Sequence, residues 1–224
     1  MTALSLLLLV GLFSIAGGIM AFYFLKNPDI LFADHTRQNP VKTPVHVRFE
    51  DGKFEIPDYL LVKVSRNALR SVKKINLVIP LNWLPDQAPV AFTRKSDMSE
   101  WLLASISKRT SFLSNRDRLN DIFRYYIAAP AATHSSGLLR YRFKPESPYG
   151  SIELFTDDLQ DPGFLIRCEL QSSVHGTRLC SRQMPISSRL TMLYKFPRSQ
   201  INQWQQVHKT IQNLLATIYK RQGV

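Results

Sequence analysis

The sequence predicts an α+β protein: an N-terminal transmembrane helix, then a mostly antiparallel sheet packed by helices, the last of them a long C-terminal amphipathic helix. Three observations lead there: an uncharged apolar run opens the chain, several later segments alternate apolar and polar residues, and the last segment carries one apolar stripe at helical spacing. The 224 residues, 45% hydrophobic and 11% aromatic, suffice for one substantial domain and exclude a disordered or collagen-like chain.

Leu4 to Leu25 carries no charge. At about 1.5 Å per residue it spans roughly 33 Å, enough to cross a hydrocarbon core of about 30 Å. No Lys or Arg precedes Leu4, and the small residues Ala16, Gly17 and Gly18 lie inside the apolar run. A cleaved signal peptide needs the opposite arrangement, so an uncleaved signal anchor is expected after a short tail at 1–3. Gly11, Ser14, Gly18 and Ala21 fall on one helical face, where small residues permit close helix approach and a homodimer through the membrane helix. Residues 26–44, with Pro28, Pro40 and Pro44, read as an extended linker. Residues 45–224 read as a single domain.

Orientation sets two rules against each other. Lys26, Arg37 and Lys42 follow the span while only the α-amine precedes it, which places the domain in the cytosol. Long domains cross regardless of charge, however, and the cysteine pair suits an oxidising compartment. The expectation is a single-pass inner-membrane protein with its C-terminal domain in the periplasm. The cytosolic orientation is its alternative.

Val45 to Phe49, a turn at Asp51-Gly52 and Phe54 to Ile56 read as a hairpin. Tyr59–Val64 and Ile75–Ile79 read as inner strands, and Leu139–Lys144, Phe164–Leu170 and Leu190–Phe196 as half-buried ones, in a sheet with one solvated side. Met98–Ile106 and Asp117–Ile127 carry apolar residues at helical spacing. At the C-terminus, Ser199 can cap a helix in which Ile201, Trp204, Val207, Ile211, Leu214 and Ile218 form the stripe, with Lys220 and Arg221 in its last turn.

Cys168 and Cys180 lie equally far from Val174, inside a polar turn. Pairing about that centre sets them opposite one another, within disulfide reach. A reduced pair in a cytosolic core is the alternative, and either way the role is structural. Signatures of hydrolases, phosphate loops, dinucleotide sites, zinc peptidases and EF-hands are absent from the sequence, and its five histidines are scattered. Asp157, Asp158 and Asp161 read as a solvated turn. Neither cofactor nor metal is expected.

The charge balance, 29 Lys+Arg against 17 Asp+Glu, gives a net +12. For an external domain this points to an acidic protein or an anionic envelope component rather than to nucleic acid. Arg140, Arg142 and Lys144 alternate with Leu139, Tyr141 and Phe143, offering a basic face for such a partner.

Phe54-Glu55-Ile56-Pro57-Asp58-Tyr59-Leu60 resembles the F-x-[IV]-P-x-x-Y-[LI] opening of a family of uncharacterised, signal-anchored proteobacterial envelope proteins. Leu139 to Phe143, Phe164 to Cys168 with Cys180, and the ending from Tyr194-Lys195-Phe196 through Arg198 to Trp204 are similar to the same family. The resemblance implies this topology and the disulfide, and carries over no catalytic residue. Three functions follow in order of expectation. The first is a periplasmic binding protein without catalysis, immunity- or inhibitor-like or an envelope-complex accessory. The second is recognition of anionic lipid, lipopolysaccharide or cell-wall polymer, and the third an envelope hydrolase with a non-contiguous site.

Overall fold

The computed structural model describes residues 44–49, 52–62, 73–84, 98–158, 160–171 and 176–221, all within one compact unit made of 39–90 and 97–224. The membrane segment 4–25 with Gly11, Ser14, Gly18 and Ala21 lies outside the described residues. So does linker 26–44 up to its last residue, Pro44, where the first strand begins. Among the described residues no helix is long and apolar enough to cross a membrane.

Strands β1 (Pro44–Phe49) and β2 (Gly52–Pro57) form the expected hairpin, with Val45 opposite Ile56 and Val47 opposite Phe54. β3 (Lys74–Pro80), β4 (Trp101–Lys108), β5 (Ala132–Thr133), β6 (Leu139–Arg142), β7 (Ile152–Thr156), β8 (Leu165–Glu169), β9 (Leu179–Pro185) and β10 (Leu190–Pro197) make an antiparallel sheet in the order β3-β4-β10-β9-β8-β7-β6-β5. β10 lies between β4 and β9 and turns Leu190, Met192, Tyr194 and Phe196 to the core, the alternation that the sequence shows.

Three expectations change. The first is Met98–Ile106, read as a helix: it is a single 3-10 turn (Met98–Glu100) followed by β4. Leu102, Ala104 and Ile106 point inward and alternate with Ser105 and Ser107, and both edges of β4 are paired, so the period-two pattern outweighs the helical one. The second is Tyr59–Val64, read as an inner strand. Asp58–Leu60 is a 3-10 turn and Leu61 makes one bridge to Leu77, while 63 and 64 lie outside the described residues. β3 is accordingly the end strand of the sheet, not an inner one.

The third concerns the C-terminus. Ser199 sits inside a 3-10 turn (Arg198–Gln203) and caps nothing; the helix runs Trp204–Ile218 and is called α2 below. Lys220 and Arg221 leave it to form β11 (Tyr219–Arg221), which adds to β2 with Tyr219 opposite Phe54. Stacking of those two rings at 4.9 Å and the ion pair Lys220–Glu55 at 2.6 Å hold the added strand.

Asn115–Asp117 begins a helical segment, α1, that continues as a π-turn (Arg118–Phe123) and a 3-10 turn (Arg124–Tyr126). Ser114 opens it with a full capping box closed by Asp117. Val207, Ile211, Leu214 and Ile218 of α2 share one core with β1, β2 and the inward side chains of the large sheet. The opposite face of β6–β8 is not left to solvent as expected: Leu119 and Phe123 pack there on Tyr141, Phe143, Leu154 and Leu165.

Candidate partner-binding surface

Cys168 and Cys180 are directly opposed across β8 and β9 and joined as a disulfide. Both are fully buried beneath α2, so the bond fixes the sheet and takes no part in surface chemistry.

Register sets Arg140 opposite Phe155 and Arg142 opposite Glu153, on the side of the sheet away from Tyr141 and Phe143, where Arg142 remains 66% exposed. Glu153, at 2% exposure, is the centre of this corner. Arg198 Nη2 contacts its Oε2, Arg142 Nε lies 3.5 Å from Oε1, and Arg140 Nη1 lies 3.7 Å from it. Arg198 also lies over the Phe155 ring, 5.5 Å from its centroid. Lys144 stands apart and donates to the Tyr125 carbonyl at 3.4 Å. One carboxylate against three guanidiniums leaves this corner positive, but its charges are engaged from within.

His134 packs edge-on to Phe155 at 5.2 Å. Burial first, then Arg140 and Arg198, hold its pKa below the usual imidazole value, so it is neutral beside these cations. Its Nδ1 accepts from the Ser136 amide, which leaves the ring proton on Nε2. His46 on β1 and His208 on α2 belong to other elements, and His175 lies outside the described residues. Asp158 accepts the amides of Gln160 and Asp161, and Asp157 that of Gly163, the turn that the sequence suggests. Among the described residues no cluster of His, Cys, Asp and Glu could hold a metal.

A second cationic group, which sequence reading did not assemble, lies on the other side of the sheet. Arg109 follows β4, Arg118 opens the π-turn, and Arg167 points outward from β8. Burial first, then Arg167 and Arg109, push the Arg118 pKa below its ordinary value, so Arg118 lies in the field of both. In the sequence Arg109 and Arg118 belong to separate basic pairs and Arg167 stands alone, 58 positions (167 minus 109) beyond Arg109. Beside them Phe112 and Leu113 are exposed, at 70% and 45%.

Neither a family model nor a curated protein matches the chain. The fold is similar to the solved structure of an immunity protein of the Stenotrophomonas maltophilia type IV secretion system, with a TM-score of 0.54 and 13% sequence identity. The match covers 80% of this chain and 94% of that one, which at this identity speaks for a shared α+β fold.

Proposed function

We propose that this is an immunity- or inhibitor-like binding protein, anchored in the inner membrane by 4–25, whose periplasmic domain neutralises an acidic protein. The observation that carries the reading is the fold likeness to an immunity protein over 80% of the chain. The net charge of +12, with Arg109 and Arg118 beside one cleft, supports an acidic partner because complementary charge speeds and orients encounter. The disulfide suits the periplasm.

The test is contact killing. A strain lacking the protein is mixed with its toxin-bearing parent, and recovery is counted with and without the full chain supplied from a plasmid. Loss of the deleted strain in contact, restored by the plasmid, is expected. Equal survival of deleted and parental cells would remove the immunity reading. Arg142, 66% exposed, and Lys144 favour a second reading, adhesion to anionic lipid or polymer, but Arg142 is already drawn toward Glu153.

A further inference from the structure

We infer that the cleft between the 109–115 loop and β9 receives a carboxylate side chain of an acidic protein partner, gripped by Arg118 and Arg109 and flanked by Phe112 and Leu113. The inference rests on the proposed binding function and gives it a surface.

The cleft holds about 70 Å³, lined by Arg109, Ser111, Asn115, Arg118, Gln183 and Thr191 among others. At roughly 30 Å³ per water this is room for about two waters, or for one carboxylate group. What distinguishes it from the Glu153 corner is the partner that orients its arginine. Arg118 Nη1 donates to Gln183 Oε1 at 3.1 Å; Gln183 Nε2 donates to Thr191 Oγ1 at 3.2 Å; Thr191 Oγ1 donates to the Met184 carbonyl at 3.0 Å. An amide thus aims the guanidinium without neutralising it. Among the described residues neither Arg109, Arg118 nor Arg167 has an ion-pair partner. The nearest acid in sequence, Asp117, accepts the Ser114 amide with its carboxylate, while its own amide donates to the Ser114 hydroxyl.

The apolar rim is held in place as well. The Arg109 amide donates to the Arg189 carbonyl at 2.7 Å, and Asn115 Nδ2 to the Gly163 carbonyl at 3.0 Å, so both ends of the loop are tied to the sheet side. Arg109 Nε donates to the Ser111 carbonyl at 2.9 Å while its guanidinium lies 5.1 Å from the Phe112 ring centroid. An exposed aromatic beside preorganised arginines is the composition of an interface hot spot, and the fixed loop loses little entropy on binding. Charge complementarity then selects an acidic protein loop over a neutral one.

The probe is a fluorescein-labelled octaglutamate peptide, read by anisotropy against the full chain in neutral detergent micelles. Gln183→Glu supplies the missing carboxylate internally at almost unchanged volume, so it is expected to weaken binding roughly tenfold or more. Arg118→Gln is expected to do the same, and Phe112→Ala to weaken it less. Arg142→Gln, on the other side of the sheet, is expected to bind within about twofold of the wild type, and thermal melts check that each variant is folded. Equal binding by Gln183→Glu and wild type, or an equal loss in Arg142→Gln, overturns the inference. So does stronger binding to phosphatidylglycerol vesicles that also depends on Arg118, since the cleft would then serve lipid. Protection from the toxin that survives alongside unaltered Gln183→Glu binding sinks the cleft and spares the immunity reading. Cleft-dependent peptide binding in a chain whose deletion costs no protection does the reverse.

Discussion

Glu153 on β7 and Arg198, just past the end of β10, meet across 45 residues of sequence, and Glu153 is 2% exposed where they meet. A carboxylate so placed is held because three guanidiniums surround it. Removing the carboxylate leaves Arg198 facing the core without its counter-charge. Glu153→Ala is therefore expected to cost about 3–5 kcal/mol, read as a lowered urea midpoint. Replacing both partners together, Glu153→Leu with Arg198→Met, is expected to recover most of that loss. A double variant as unstable as the single one would show that the pair itself contributes the stability.

The Cys168–Cys180 bond closes a loop of 12 positions under α2. On the chain-entropy account such a closure contributes roughly 3 kcal/mol. Urea melts with and without reductant are expected to differ by about that amount, and the reduced protein remains folded because the surrounding sheet and α2 form a continuous core. Because both sulfurs are buried, cells are quenched in acid and denatured before maleimide is added, and labelling is expected only after reduction. Immediate labelling would place the domain in a reducing compartment and reverse the proposed orientation.

The parts of the fold that sequence revealed are those whose signal is local. The β1–β2 hairpin, the alternation in β10 and the opposition of Cys168 to Cys180 each follow from a short stretch read at its own period. Trp101–Lys108 was ambiguous for a physical reason: Trp101, Leu102 and Ile106 fit a helix, and only pairing on both edges decides for a strand. The alternation of Arg140 and Arg142 was legible, but neither their meeting with Glu153 and Arg198 nor the group around Arg118 was. Arg142 meets Glu153 through the register of β6 on β7, and Arg118 meets Gln183 through packing of α1's continuation on the sheet. A lone Glu in the apolar run Ile152-Glu153-Leu154-Phe155 was the one available hint, since a buried acid needs cationic partners.

Gly150 lies in the connection between β6 and β7 that sets Arg142 against Glu153. A Cβ there would fall on the Pro145 carbonyl and within 3.0 Å of the Lys144 carbonyl, both backbone atoms that cannot swing aside. Gly150→Ala is expected to cost about 1–3 kcal/mol, as overpacking does, and to shift the β6 amide resonances in NMR spectra. Gly137, with open space around its Cβ position, is under strain only from its φ of +77°. Gly137→Ala should therefore leave β6 in register and lower stability less.

His208 on α2 contacts the Tyr194 hydroxyl at 3.3 Å, next to the guanidinium of Arg182. Burial first, and Arg182 second, push its pKa down to about 4, while burial raises Tyr194 to about 12. In the unfolded chain the imidazole titrates near its ordinary value of 6.5. Between pH 6.5 and 4 the unfolded state thus binds a proton that the folded state refuses. Stability from this group is full above pH 6.5 and falls as the pH drops toward 4. His134, lowered in the same direction, adds to the slope. The lowered carboxyls of Asp117 and Asp158 act only further into acid, below their ordinary value of 3.8. That of Glu55, held down first by Lys220, adds to the rise only at the acid end, as the pH falls past its ordinary value of 4.5. Urea midpoints measured from pH 4 to 7 are expected to rise with pH, and His208→Gln to flatten that rise by removing its larger part. A slope unchanged in His208→Gln would assign the window to His134 and show that His208 protonates on α2 without cost.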